Sequence, residues 1–307
     1  MTPAFCVCVP ARNEAERLPR LLDALANQDI EGPIHTVLCI NNSDDGSADA
    51  AREAARGHDG RLHLLIDEAW FAPALAHAGS ARGRAMDLGA ERLVSEPRAI
   101  LLSTDADCRP SPGWIAANLA VIEAGATIVG GRIVIDAEES LPEPVAAARG
   151  LWDRYWERVR AIEDAIDPRP WDPAPRHGDH TGASLALTRD LYRAAGGVPC
   201  LPLGEDRALV DAAIAVGGRL AHPSDVWTYV SPRQSGRAAG GMADDMRRLH
   251  ADVAAGAAPM APAFAHWEAR AAWRRGLRGL PDADRAIALQ EAQLPPMPLD
   301  MHLSLDL

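Results

Sequence analysis

Four short, almost continuously apolar runs, each ending in polar residues, constrain this chain most: Phe5 to Val9, Thr36 to Ile40, Leu62 to Ile66 and Ala99 to Ser103. A run that does not alternate apolar with polar has to be buried on both faces, which is the condition of a parallel strand covered by helices on either side. The intervening segments carry the helical period. Leu18, Leu21, Leu22 and Leu25 fall on one face after Asn13, which with Glu16 reads as a capping box. A second helix is expected after Ser47, and a third from Ser111, with Pro112 in its first turn and Ile115, Leu119 and Ile122 inward. Thr188 reads as the cap of a short helix stopped by Gly196 and Gly197. Another spans Glu205 to Val216, with Leu209, Ala213 and Val216 inward. The alternation predicts an α/β fold with a mostly parallel central sheet flanked by helices.

Four prolines between Pro168 and Pro175 rule out regular structure there and predict a loop. After Gly241 the chain becomes alanine-rich and helical, and from Leu294 to Leu307 it is broken by prolines. We expect a catalytic domain over 1–241 in two halves, 1–107 and 108–241, followed by a helical extension over 242–307 to which no chemistry is assigned. With 31 basic against 43 acidic residues the net charge is −12, so no overall field attracts nucleic acid or anionic lipid. No apolar run reaches bilayer length, and no basic segment followed by a long apolar one opens the sequence, so the expected location is cytoplasmic. The five cysteines, an odd number, read as reduced thiols; Cys6 and Cys8 share one strand face as small buried hydrophobes.

Ligands of open α/β sheets collect at the carboxyl ends of the parallel strands. Here those ends carry Pro10, Ala11, Arg12, Asn13 and Glu14, then Asn41, Asn42, Ser43, Asp44 and Asp45, then Thr104, Asp105, Ala106 and Asp107. Asn13 and Ser47 are also ordinary helix caps, and Asp44 to Gly46 is ordinary turn chemistry. Asp105 and Asp107 say more. Two carboxylates one residue apart repel by about 4 kcal/mol at 4 Å in a medium of dielectric near 20. A divalent cation relieves this, and oxygen ligands suit Mn2+ or Mg2+, which also bind phosphate oxygens. No Gly-x-Gly-x-x-Gly opens the first helix and no Gly-Lys-Ser loop is present, so phosphate must be held by metal and arginines.

From Phe5 to Gly241 these motifs resemble the family 2 glycosyltransferases, nucleotide-diphospho-sugar transferases of the GT-A fold. VCVPARNE (Val7 to Glu14) is similar to the opening strand and turn, NNSDDGS (Asn41 to Ser47) to the second loop, and GSAR (Gly79 to Arg82) to the segment beside the donor. DAD (Asp105 to Asp107) matches the Asp-x-Asp signature. Gly182 to Ser184 with Gly196 and Gly197 resembles the acceptor stretch, and GED (Gly204 to Asp206) the segment bearing the base. The resemblance implies a glycosyltransferase, with hexosyl transfer expected, moving sugar from a nucleotide-diphosphate donor to a hydroxyl acceptor. It puts Pro10, Arg12, Asn13, Glu14 and Asn41 or Asn42 around the nucleoside, with Asp105 near ribose and metal and Asp107 on the cation. Arg82, Arg233 and Arg237 are candidates for the diphosphate. Asp206 is the expected general base, with Glu205 the alternative at the same helix start, whose positive end favours carboxylates. A histidine often completes the family's metal shell, and His222 is the nearest candidate. Gly182, Ala183, His180 and Trp156 are expected beside the acceptor; His177, Trp152, Tyr155 and Trp171 fall in the same region. The implied outcome is inversion, although retaining enzymes share the fold and motif. A sugar-phosphate nucleotidylyltransferase and a non-catalytic nucleotide-sugar-binding protein of the same fold are the alternatives; the former lacks its glycine-rich basic loop here.

Overall fold

The computed structural model describes residues 3–304 except 59, 97, 140 and 237–239. In chain order its strands are β1 (Phe5–Ala11), β2 (Ile34–Asn41), β3 (Leu62–Ala69), β4 (Ile100–Ser103), β5 (Arg109–Pro110), β6 (Ile128–Gly130), β7 (Arg132–Ile135), β8 (Leu185–Thr188), β9 (Leu220–Ala221), β10 (Trp227–Val230), β11 (Met260–Ala261) and β12 (Met301–His302). The helices are α1 (Leu18–Ala26), α2 (Ser47–Arg56), α3 (Ala78–Arg92), α4 (Trp114–Glu123), α5 (Glu143–Ile166), α6 (Arg189–Ala194), α7 (Glu205–Ala215), α8 (Met242–Ala254), α9 (Phe264–Leu277) and α10 (Ala283–Glu291). Seven strands form one sheet in the order β3-β2-β1-β4-β8-β6-β9, parallel except where β8 pairs with β4 and β6. Three of the four expected strands run longer than their apolar runs because strand pairing continues into the polar ends.

Side chains alternate across the sheet, so each face has its own core. Val7, Val9, Leu38 and Leu102 pack with α1, α2 and α4 on one face. Cys6, Cys8, Val37 and Leu101 pack with α3 and α7 on the other. All of these residues are buried, as double coverage requires. Gly89 makes the α3 approach possible: a Cβ there would sit 2.7 Å from Cys8 Sγ.

Several local expectations change. The first helix begins at Leu18 with Arg17 at its cap; Asn13 lies outside it in a left-handed conformation (φ 50°), so the capping box with Glu16 does not form. The third helix starts at Trp114, with Pro112 in the preceding turn. Thr188 stands at the α6 cap position without a side-chain bond, and Val216, just past α7, is half exposed.

The extension is fastened to the rest. Tyr155 on α5 stacks on Phe264, donates to the Pro262 carbonyl at 2.8 Å and accepts from Trp267 Nε1. Arg274 of α9 joins Glu163 of α5 (2.7 Å) to Glu291 of α10 (2.8 Å), and Arg278 grips Asp167. Among the described residues no helix is long and apolar enough to cross a membrane.

Candidate active site

The carboxyl ends of β1, β2 and β4 open onto a cleft of about 1380 Å³, closed on its far side by α5, the 175–183 segment, the start of α7 and one face of α8. At its sheet end stand Pro10, Ala11, Arg12, Glu14 and Asn41. Asn41 is only 2% exposed; its Nδ2 donates to the His77 carbonyl at 3.1 Å, while its buried Oδ1 has no partner among the described residues. A buried amide oxygen left in this state is an acceptor awaiting a donor. Asn42 faces the other way and clasps the Phe71 backbone, accepting from its N–H and donating to its carbonyl, both at 3.0 Å. Asn13 receives the Asp44 N–H on Oδ1 and gives its own N–H to Ser43 Oγ. Neither Asn13 nor Asn42 lines the cleft, so both hold loop shape rather than the nucleoside edge expected of them.

In mid-cleft the acidic pair meets two arginines. Arg82 is 4% exposed and occupied on all sides: Nε to Glu205 (3.0 Å), one terminal nitrogen to Ser103 Oγ (2.7 Å) and the Gly182 carbonyl (3.0 Å), the other to Asp105 (2.7 Å). Burial works against its charge, but Asp105 and Glu205 more than offset this and raise its pKa. Arg82 is therefore a buried tie between strand end, the 182 loop and α7, and it lines the cleft with its bonds directed to the protein. Glu205, buried and paired with it, is correspondingly committed to structure. Arg233 instead reaches Glu14 with both terminal nitrogens (2.7 and 3.1 Å) and Asp107 at 2.7 Å. Arg237 lies outside the described residues.

Asp105, Asp107 and Cys108 bring one ligand atom each to within 4.8 Å of one another, the one such acidic, histidine or cysteine group among the described residues. Burial pushes the Asp107 carboxyl up to about 6, with Asp105 and Glu14 adding to the rise and Arg233 opposing it. Two hard oxygen donors gathered this closely fit Mn2+ or Mg2+; the Cys108 thiol, pushed well up by burial, is the poorer donor for either. His222 is not in this group. It is buried elsewhere, with its N–H and Nδ1 on Asp172 (2.6 and 3.0 Å) and its Nε2 3.4 Å from His180.

Asp206 stands at the start of α7 and lines the cleft; Oδ2 accepts from the Gly182 N–H at 2.7 Å and Oδ1 from the Arg207 N–H at 2.8 Å. Gly182 and Ala183 line the cleft beside it, as does Trp156, which is 40% exposed and lies under the Arg160 guanidinium. His180 does not line it: its Nδ1 is satisfied by the Gly178 carbonyl and its ring is turned toward His222, leaving His177 as the histidine of that segment that lines the cleft. Sequence reasoning missed Arg149 and Arg160 of α5, and the α8 face of Met242, Met246 and Leu249. The signal was there in the helical spacing of 149, 152, 153, 156, 157 and 160 and of 242, 246 and 249.

The histidine cluster carries a pH signature. Burial lowers His177 and His180 to about 4 each, with His222 lowering both further and Asp179 opposing at His177; burial also lowers His222 against the pull of Asp172. Unfolded histidine titrates near 6.5, so the unfolded chain takes up these protons first, and stability falls as pH drops from about 6.5 to about 4. Asp107 acts in the opposite sense, since its folded carboxyl holds a proton up to about 6, but one group does not cancel three. Calorimetry from pH 7 to pH 4.5 should show a falling melting temperature, and a His177→Asn/His180→Asn protein should show a clearly shallower fall; equal slopes would refute the assignment.

The mostly parallel sheet, with an aspartate pair at its strand ends facing a helix-borne carboxylate, has the architecture of the GT-A fold. The chain belongs to glycosyl transferase family 2: the profile of "Glycosyl transferase family 2" matches residues 6–168, more than half of its length. Glycosyltransferase AglE of Haloferax volcanii is 28% identical over 133 residues, which are 43% of this chain and 40% of that protein, so the likeness spans less than half of that relative. Among solved structures, S. aureus TarS residues 1–349 in complex with UDP superposes with a TM-score of 0.53 at 14% identity, covering 90% of this chain and 71% of that one. The mannosyltransferase PcManGT from Pyrobaculum calidifontis, in complex with GDP-Man and Mn2+, gives 0.53 at 20% identity, covering 95% and 80%. At these identities the structural likeness speaks for the fold.

Proposed function

We propose that this chain transfers a sugar, with inversion, from a nucleoside-diphosphate donor to a hydroxyl acceptor, with Asp206 as general base. The observation that carries this is the meeting of the acidic pair and Asp206 in one cleft, joined through Arg82, Glu205 and Gly182. Asp105 and Asp107 would hold Mn2+ or Mg2+, which when bound supplies positive charge for a departing diphosphate. Arg233 offers a guanidinium to the same phosphates, a match that its planar fork makes bidentate. Across the cleft, the backbone N–H groups of Gly182 and Arg207 fix the Asp206 carboxylate, so it meets an acceptor hydroxyl without reorganising.

Asn41 gives this reading a base preference. With Nδ2 held by His77, its free Oδ1 accepts a hydrogen bond, and uracil and guanine present a ring N–H where cytosine and adenine present a lone pair. UDP and GDP-Man in the two neighbours above both belong to the first group. The test is turnover of a donor panel with Mn2+. UDP- or GDP-sugars should release nucleoside diphosphate at least tenfold faster than ADP- or CDP-sugars, the scale of one buried hydrogen bond lost. Asn41→Leu should erase the preference. Release of pyrophosphate from a nucleoside triphosphate and sugar phosphate would support a nucleotidylyltransferase instead.

A further inference from the structure

In mid-cleft four carboxylates meet two arginines, two to each, and the two arrangements differ in kind. Asp105 and Glu205 share Arg82, whose guanidinium is also fixed by Ser103 and the Gly182 carbonyl and is shut from solvent. Asp107 and Glu14 share Arg233, whose side chain bonds to those two carboxylates and to nothing else among the described residues. Arg82 sits within a helix of the sheet face. Arg233 comes from the segment that follows β10, where Ser231 hydrogen-bonds Glu139 at 2.7 Å and Gly236 lies close against Ala243 of α8. One counter-charge is built in; the other is carried by a connecting segment.

We infer that Arg233 is the exchangeable counter-ion of Asp107: it satisfies that carboxylate until a divalent cation takes its place, and the exchange frees its guanidinium and loosens the 231–236 segment. This rests on the cation reading given above and adds to it a competition. Cation and guanidinium compete for the same Asp107 carboxylate, so the apparent cation affinity is the intrinsic affinity scaled by the fraction of molecules in which Arg233 has let go. The released guanidinium then finds its next anionic partner in the diphosphate of the donor, whose charge it can bind without competing with Asp107. Because that segment leads into α8, whose Met242 and Met246 line the acceptor side, the exchange connects the two ends of the cleft.

The measurement is Mn2+ binding to the full chain without nucleotide, followed by the electron paramagnetic resonance of free Mn2+. With the pair formed in nine molecules of ten, Arg233→Gln should bind Mn2+ about tenfold more tightly than the natural protein. Arg233→Lys separates exchange from simple repulsion, since it keeps the charge but cannot span Glu14 and Asp107 with a planar fork. It should bind severalfold more tightly than the natural protein. In parallel, Mn2+ should speed tryptic cleavage of the Arg233–Gln234 bond, mapped by mass spectrometry, and should not do so in Asp107→Ala. Unchanged affinity in Arg233→Gln, or a lysine variant identical to the natural protein, overturns the exchange while leaving the cation site standing. Mn2+ binding that is absent from the natural protein and from Asp107→Ala alike overturns both.

Discussion

Asp206→Asn should lower turnover by about 10²- to 10⁴-fold, the usual contribution of a general base, while nucleoside-diphosphate affinity stays within about twofold. The amide matches the carboxylate in size but cannot take the acceptor proton. Its cost to the fold is small, because Asp206 accepts two backbone N–H bonds, from Gly182 and Arg207, and asparagine can still accept one of them. The other N–H loses its partner, worth about 1–3 kcal/mol if it stays dry. Steady-state kinetics with donor and acceptor, beside a binding titration of the diphosphate, separates the two effects. Turnover within about tenfold of the natural enzyme would mean that the proton leaves by another route. Glu205→Gln provides the contrast: its carboxylate faces Arg82, so its loss should act on melting temperature and turnover together.

That contrast marks what could be read from the sequence. The strands were legible because double burial demands unbroken apolar runs, and the polar residues at their ends followed from sheet topology. Asp105, Asp107 and Asp206 were legible as a motif in order. What the sequence hid was which partner each polar group takes. Asn13 looks like a helix cap, yet it is bonded to the second loop 30 residues away. Asn41 and Asn42 are equivalent as letters; only strand alternation and the Phe71 backbone decide which faces the cleft. His222 stands close in sequence to the last strand, but Asp172, 50 residues earlier, draws it into a separate buried cluster. The α8 face was overlooked because a stripe at helical spacing does not say what it faces, and nothing local shows that α5 and the sheet edge leave a wall for it to complete.

Arg82→Met tests the most connected of these hidden contacts. The substitution keeps most of the side-chain volume and removes five donors, leaving Glu205 buried and Asp105 partly so without their counter-charge, and the Gly182 carbonyl with only the longer bond from Ser103 Oγ at 3.3 Å. Breaking one partner out of a buried ion pair costs about 3–5 kcal/mol, which in a chain of this size lowers the melting temperature by roughly 5–10 °C. Function should suffer by a separate route. Gly182 takes Arg82 on its carbonyl and gives its N–H to Asp206, and the guanidinium lies so close that a Cβ on Gly182 would fall 2.3 Å from it. Removing the arginine therefore loosens the backbone that holds the Asp206 carboxylate. Arg82→Met/Glu205→Gln distinguishes the two roles: relieving the unpaired buried charge should restore part of the lost melting temperature, because contacting sites do not add. Turnover should stay low, since in the double variant only the longer Ser103 bond holds the Gly182 carbonyl. If turnover recovered in step with stability, Arg82 would be a tie in the core and would have no part in orienting Asp206.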